Sequence, residues 1–238
     1  MVSDQIVRRV LKPVIFLGAL IPACHLVWAF STDHLSANPL GDITGDWTLR
    51  FLCIALAVTP LRRLTGWNGA IRFRRMLGLF AFFYGALHFL TYLVFDRFAT
   101  VEFAGNVSWT VSHGIAAAVN DDISKRPFIT IGFTAFVLMV PLAATSTAGM
   151  IRRLGGRRWR ALHRLMYVAC VGAVTHYWWL VKVDVRRPIA YATVIALLLT
   201  LRVYWARAGA AGGFSTKSSS PLRSLTVRSG RSPNSSCG

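Results

Sequence analysis

The sequence predicts an all-α integral membrane protein built as a six-transmembrane-helix bundle. Three observations carry this. Of 238 residues, 54% are hydrophobic and only 15% are charged, too few to coat a soluble domain of this length. The apolar residues come in long uncharged blocks, each near the roughly 20 residues a helix needs to cross a ~30 Å hydrocarbon core. The cationic residues cluster in alternate gaps between those blocks, as loops on one side of a membrane do.

Uncharged runs cover 13–32, 76–95, 128–151 and 165–181, with shorter ones at 51–61 and 188–201. They lack the period-two alternation of a membrane barrel, so helices are the structure that satisfies their backbone groups. Completing the two short runs with their neighbours predicts helices near 13–32, 47–62, 76–95, 127–148, 163–181 and 188–206. The first run follows Arg8, Arg9 and Lys12 but contains Pro13, Pro22, Cys24 and His25, and it ends without a small-x-small cleavage site. It reads as a retained helix rather than a cleaved signal.

The formal charge of +18 raises the question of nucleic acid. Its placement answers it. Twenty of the 27 Lys and Arg fall in 8–12, 62–75, 152–164 and 202–231, while eight of the nine acidic residues lie on the opposite side, from Asp33 to Asp184. This is a topology signal, with contacts to anionic lipid, and it predicts both termini in the cytoplasm. Residues 1–207 form the expected membrane domain. Residues 208–238, rich in Gly, Ser and Arg, read as a disordered cytoplasmic tail. Cys24, Cys53 and Cys170 fall inside predicted helices with no CxxC spacing and read as packing residues.

Ionisable residues inside membrane helices are costly and therefore candidates for function. His88 lies in the third run and His176 in the fifth, both in the outer half, on helices that run in the same direction. Two imidazoles at one depth are what a haem with two axial histidines requires. Phe82, Phe83, Tyr84, Phe89, Tyr92 and Tyr177, Trp178, Trp179 flank them. His163 lies 13 residues before His176, about 20 Å away and about 140° around an ideal helix. It is a candidate for a second site with no evident histidine partner at its depth, or an interfacial charge beside Arg160 and Arg164. His25 reads as a packed, hydrogen-bonded group, and His34 and His113 as solvated loop residues. The Arg-rich segments IRFRRMLG and RRLGGRRWRALHR could also cradle propionates or a flavin phosphate.

Several segments together resemble one family: ANPLGDITGDW and VTPLRR around the second helix, RFRRMLGL and ALHFLTY in the third, SKRPFITIG and TSTAGM bounding the fourth, and RRWRALHRLMYV and HYWWLVK bounding the fifth. From about residue 13 to 206 the chain is similar to the MsrQ (YedZ) family, within the ferric reductase-like transmembrane superfamily. The resemblance implies that His88, His163 and His176 are haem-linked and that haem b and FMN are cofactors, the FMN at a position the sequence does not give. It also implies electron transfer from the quinone pool or a cytosolic flavin reductase to MsrP. MsrP is a periplasmic molybdopterin subunit that reduces methionine sulfoxide in proteins, so this chain would carry electrons rather than reduce the substrate. A stand-alone ferric reductase-like oxidoreductase is an alternative. It is disfavoured because only about 30 residues follow the last helix, too few for flavin and nicotinamide domains. A non-haem transporter or scaffold is a second alternative, and it predicts a colourless protein.

Overall fold

The computed structural model describes residues 4–32, 37–98, 119–181 and 183–215. Six long helices are present: α1 (Lys12–Ser31), α2 (Ala37–Thr65), α3 (Arg74–Thr91), α4 (Pro127–Ala144), α6 (Leu165–Leu180) and α7 (Arg186–Ser215). A seventh, α5 (Ala148–Leu162), lies between α4 and α6. No strand occurs among the described residues. Segments Arg9–Ser31, Arg74–Phe95, Pro127–Ala144 and Arg186–Ala208 are long and apolar enough to cross a membrane. Helix α6 is apolar but has 16 residues, short of a full span. Helix α2 has 29 residues, and its Asp42, Asp46, Arg50, Arg62 and Arg63 keep it outside that apolar class. The lipid-facing surface is apolar: Leu17 is 63% and Val27 70% exposed on α1, where a soluble protein would carry charge.

Three elements differ from expectation. Helix α2 begins at Ala37, ten residues before the predicted start, because ANPLGDITGDW is helical despite its two glycines and proline. The Arg-rich segment after α4 is also helical rather than a loop. Thr147 caps it by accepting from the Met150 N–H at 3.2 Å, and it breaks at Gly155, whose φ of 72° favours glycine. Helix α7 runs to Ser215, into the expected tail. Residues 216–238, like His34 and His113, lie outside the described residues. The chain divides into two compact units after Arg202; of the second, residues 203–215 are described, and they are helical.

Within the first unit the core is formed where α2 packs along α3 and α4 along α6, with further contacts from α3 to α4 and from α2 to α6. Small residues set the close approaches. A Cβ on Gly172 would stand 3.2 Å from Ala135 Cβ, and one on Gly85 3.0 Å from Met139 Cε. Membrane helices lack a hydrophobic drive toward one another, so such close contacts supply much of the association. Tyr84, fully buried, joins α1 to α3: its hydroxyl donates to the Ala19 carbonyl at 2.7 Å and accepts from the Ala23 N–H at 3.1 Å. Ala19 and Ala23 are i and i+4 beside Pro22, so the phenol serves the ladder of α1 where the proline disturbs it. Helix α7 is tied to α2 by Tyr191, which donates to Asp46 Oδ1 at 2.5 Å.

Candidate functional site

His88, near the C-terminal end of α3, and His176, in the last turns of α6, are brought together. Their ring centroids are 6.2 Å apart and their planes are inclined at 70°. Each ring is held from behind by a carbonyl on a different helix. His88 Nδ1 lies 2.9 Å from the Gly41 carbonyl of α2, with the Thr44 hydroxyl at 3.5 Å. His176 Nδ1 lies 2.7 Å from the Phe128 carbonyl of α4. A carbonyl only accepts, so both Nδ1 atoms carry a proton, and in the neutral rings the lone pair is then on Nε2. Metal-bound histidines are oriented in this way.

Two glycines make room for these rings. A Cβ at Gly45 would stand 3.3 Å from His88 Cε1 and Nδ1, and one at Gly132 would stand 2.7 Å from His176 Nδ1. Gly41, Thr44 and Gly45 belong to ANPLGDITGDW; Phe128 and Gly132 belong to SKRPFITIG. These segments are therefore the seats of the two histidines. The Gly41-x-x-x-Gly45 spacing, which places both on one helix face, was the signal in the sequence that could have located the first seat.

Cavities lie on both sides of the pair. One is bounded by Gly45, Leu49, Ala135, Met139 and Ala173, the other by Phe89, Phe128, Ile129 and Phe133, and both include His88 and His176. Two imidazoles sharing one metal atom in line, with bonds of about 2 Å, bring their ring centroids about 6 Å apart. Among the described residues no cluster of three or more His, Cys, Asp or Glu could hold a bare metal ion. A metal between these two rings would therefore draw its remaining ligands from a flat macrocycle, for which the apolar spaces on either side provide room. The residues present fit a haem.

The first cavity also has an acidic edge that sequence reasoning missed. Asp42 and Asp46 line it with Tyr177. Asp46, whose side chain is 12% exposed, receives Arg50 Nη2 at 2.5 Å as well as Tyr191, and Arg50 lies over the Trp47 ring at 4.5 Å. The three partners are up to 145 residues apart, so no local pattern announces them.

His163 is elsewhere. It occupies the turn between α5 and α6, so the ideal-helix angle between it and His176 does not apply. Its Nδ1 donates to the Trp159 carbonyl at 3.1 Å, and its ring lies 3.9 Å from the Trp159 ring. Burial holds its pKa below the usual histidine value; the Trp159 carbonyl opposes this, and the charge of Arg74 adds to it. Burial thus favours the neutral ring. It lines a separate cavity with Arg62, Arg74, Arg75 and Arg160, and among the described residues no second histidine lines it. His25 is exposed on α1, 6.0 Å from the Trp28 ring.

Residues 44–174 match the family model described as ferric reductase like transmembrane component. Curated relatives extend the likeness beyond that core. A protein-methionine-sulfoxide reductase heme-binding subunit MsrQ of Herminiimonas arsenicoxydans is 51% identical over 201 residues, 82% of this chain and 85% of the relative. One from Ralstonia nicotianae is 51% identical over 221 residues, 90% and 94% of the two chains. One from Bordetella pertussis is 46% identical over 209 residues, covering 84% and 93%. With such identity over most of its length, and a matching helical membrane core, the chain belongs to the MsrQ family of heme-binding subunits, within the ferric reductase-like transmembrane proteins.

Proposed function

We propose that this chain is the haem b electron-transfer subunit of a protein-methionine-sulfoxide reductase system in the cell inner membrane, with both termini in the cytoplasm. The observation that carries the reading is the facing pair His88 and His176, each oriented by a backbone carbonyl from a neighbouring helix. Haem held there would supply a one-electron ferric/ferrous couple. The chain's own residues do the rest: the two imidazoles would hold the group, Gly45 and Gly132 let the rings sit against α2 and α4, and Leu49, Ala135 and Met139 give its cavity an apolar wall.

Electrons enter at the cytoplasmic or inner-leaflet face and leave at the periplasmic face. The inner side is basic through residues such as Arg62, Arg74, Arg152 and Arg160, a field that attracts anionic donors. Quinol or the reduced flavin of a cytosolic flavin reductase is the donor, FMN is an associated cofactor, and MsrP is the periplasmic acceptor. The acidic residues and the histidine pair share the outer half, where such an acceptor docks. His163, on the inner cavity, serves electron uptake.

The test is spectroscopic. The purified protein should show a low-spin bis-imidazole spectrum that His88→Ala and His176→Ala each abolish, while both variants still insert in membranes. In sealed vesicles of known orientation supplied with reduced flavin or quinol, the reduced spectrum should reoxidise when MsrP and a methionine sulfoxide substrate are present on the periplasmic side. Unchanged absorption in both variants would rule out the ligand pair. A spectrum that stays reduced with MsrP and substrate would rule out the partner.

A further inference from the structure

The two cavities that flank the facing histidines differ in the sign of their charge. Asp42 and Asp46 line the first, and among the described residues no Lys or Arg does. Arg126 and Tyr92 line the second, and among the described residues no Asp or Glu does. The second is also the larger, ≈ 600 Å³ against ≈ 90 Å³.

Arg126 is held in place by its neighbours. It joins helical residues 119–125 to α4 in an extended conformation, with φ −125° and ψ 90°. Asp122, 3% exposed, accepts from the Tyr92 hydroxyl on Oδ2, and its Oδ1 stands 3.7 Å from Arg126 Nε. The Thr130 hydroxyl of α4 donates to the Ile123 carbonyl at 2.5 Å and ties this segment to α4. The ion pair engages only the Nε side of the guanidinium. Its side chain makes no hydrogen bond among the described residues, so the Nη donors are uncommitted.

A haem is apolar except for two carboxylates on one edge. In a mostly apolar cavity such a charge is costly unless it is paired. Beside Asp42 and Asp46 it would also be repelled, whereas a guanidinium fork matches a carboxylate. We propose that Arg126 receives a haem carboxylate, with Asp122 and Tyr92 as its positioning residues. The carboxylate edge then takes the second cavity, and the apolar edge takes the first, against Leu49, Ala135 and Met139. This rests on the haem reading of His88 and His176 and gives the group a direction between them. It assigns that edge to Arg126 rather than to the Arg-rich segments around α3 and α5. In the proposed topology Arg126 is at the periplasmic end of α4, the side from which electrons leave.

The test titrates the full chain, in membranes prepared without haem, with ferric haem and with its dimethyl ester. The ester keeps iron and ring but lacks both charges. Wild type should prefer haem by about fivefold, a modest ratio because the Arg126 side chain is 57% exposed. Arg126→Gln should bring the ratio near one by weakening haem alone, with ester binding unchanged. Arg126→Lys, which keeps the charge without the fork, should retain part of the preference. Arg74→Gln, on the cavity of His163, should leave the ratio as in wild type. No preference in wild type, a preference that survives Arg126→Gln, one lost in Arg74→Gln instead, or equal weakening of both ligands by Arg126→Gln would each overturn the assignment. The haem reading fails separately: neither ligand would then give a bis-imidazole spectrum in wild type, or His88→Ala and His176→Ala would bind both as wild type does.

Discussion

The imidazoles of His88 on α3 and His176 on α6 face each other with ring centroids 6.2 Å apart, and neither is positioned by its own helix alone. Gly41 on α2 holds one and Phe128 on α4 holds the other. Four helices therefore converge on one pair of nitrogens, and a disturbance of α2 or α4 reaches the site without touching a histidine.

Glycine substitutions test that coupling in a graded way. A Cβ at position 132 would stand 2.7 Å from His176 Nδ1, and one at position 45 would stand 3.3 Å from His88. Gly132→Ala should displace its ring and abolish most low-spin absorption. Gly45→Ala should leave a weakened or shifted spectrum. Visible spectra of the two purified variants, normalised to protein, decide the order; equal effects would contradict the geometry.

Asp46 offers an electrostatic test. Its carboxylate lines the histidine cavity and is paired with Arg50 and Tyr191. Asp46→Asn removes a negative charge and leaves Arg50 unbalanced. This single gain of positive charge favours the state with the extra electron, so the midpoint potential should rise by an amount on the order of tens of millivolts. Potentiometric titration of wild type and variant measures it, and a fall would mean that Asp46 does not act on the site by charge.

Tyr84 tests the seam between α1 and α3. Tyr84→Phe removes a hydroxyl that serves both Ala19 and Ala23. The loss should cost about 1 kcal/mol, because a buried carbonyl and N–H lose a shared partner beside Pro22. A lower thermal midpoint in detergent with an unchanged visible spectrum is the expected result.

Topology is testable by fusion. A reporter active only in the periplasm should give signal at Gly105 and none at Gly69, which lies beside Arg62, Arg63, Arg72, Arg74 and Arg75. The opposite pattern would reverse the proposed direction of electron flow.

The sequence by itself determined the class, the approximate places of six long helices and the nearness of His88 to His176. Long uncharged blocks have one stable form in lipid, and charge asymmetry orders them, so both are properties of composition along the chain. Equal depth of His88 and His176 follows from counting residues along two helices of the same direction. Tertiary structure decided what counting cannot reach. It turned the Arg-rich segment after α4 into a helix and placed His163 in a turn on a different cavity. It made Gly41 and Phe128 the partners of histidines 47 and 48 residues away. It also gathered Asp46 with Tyr191, 145 residues apart. Such contacts are set by how closely helices pack and by which buried polar groups need partners. Both depend on neighbours distant in sequence, and a single sequence holds no periodicity that records them.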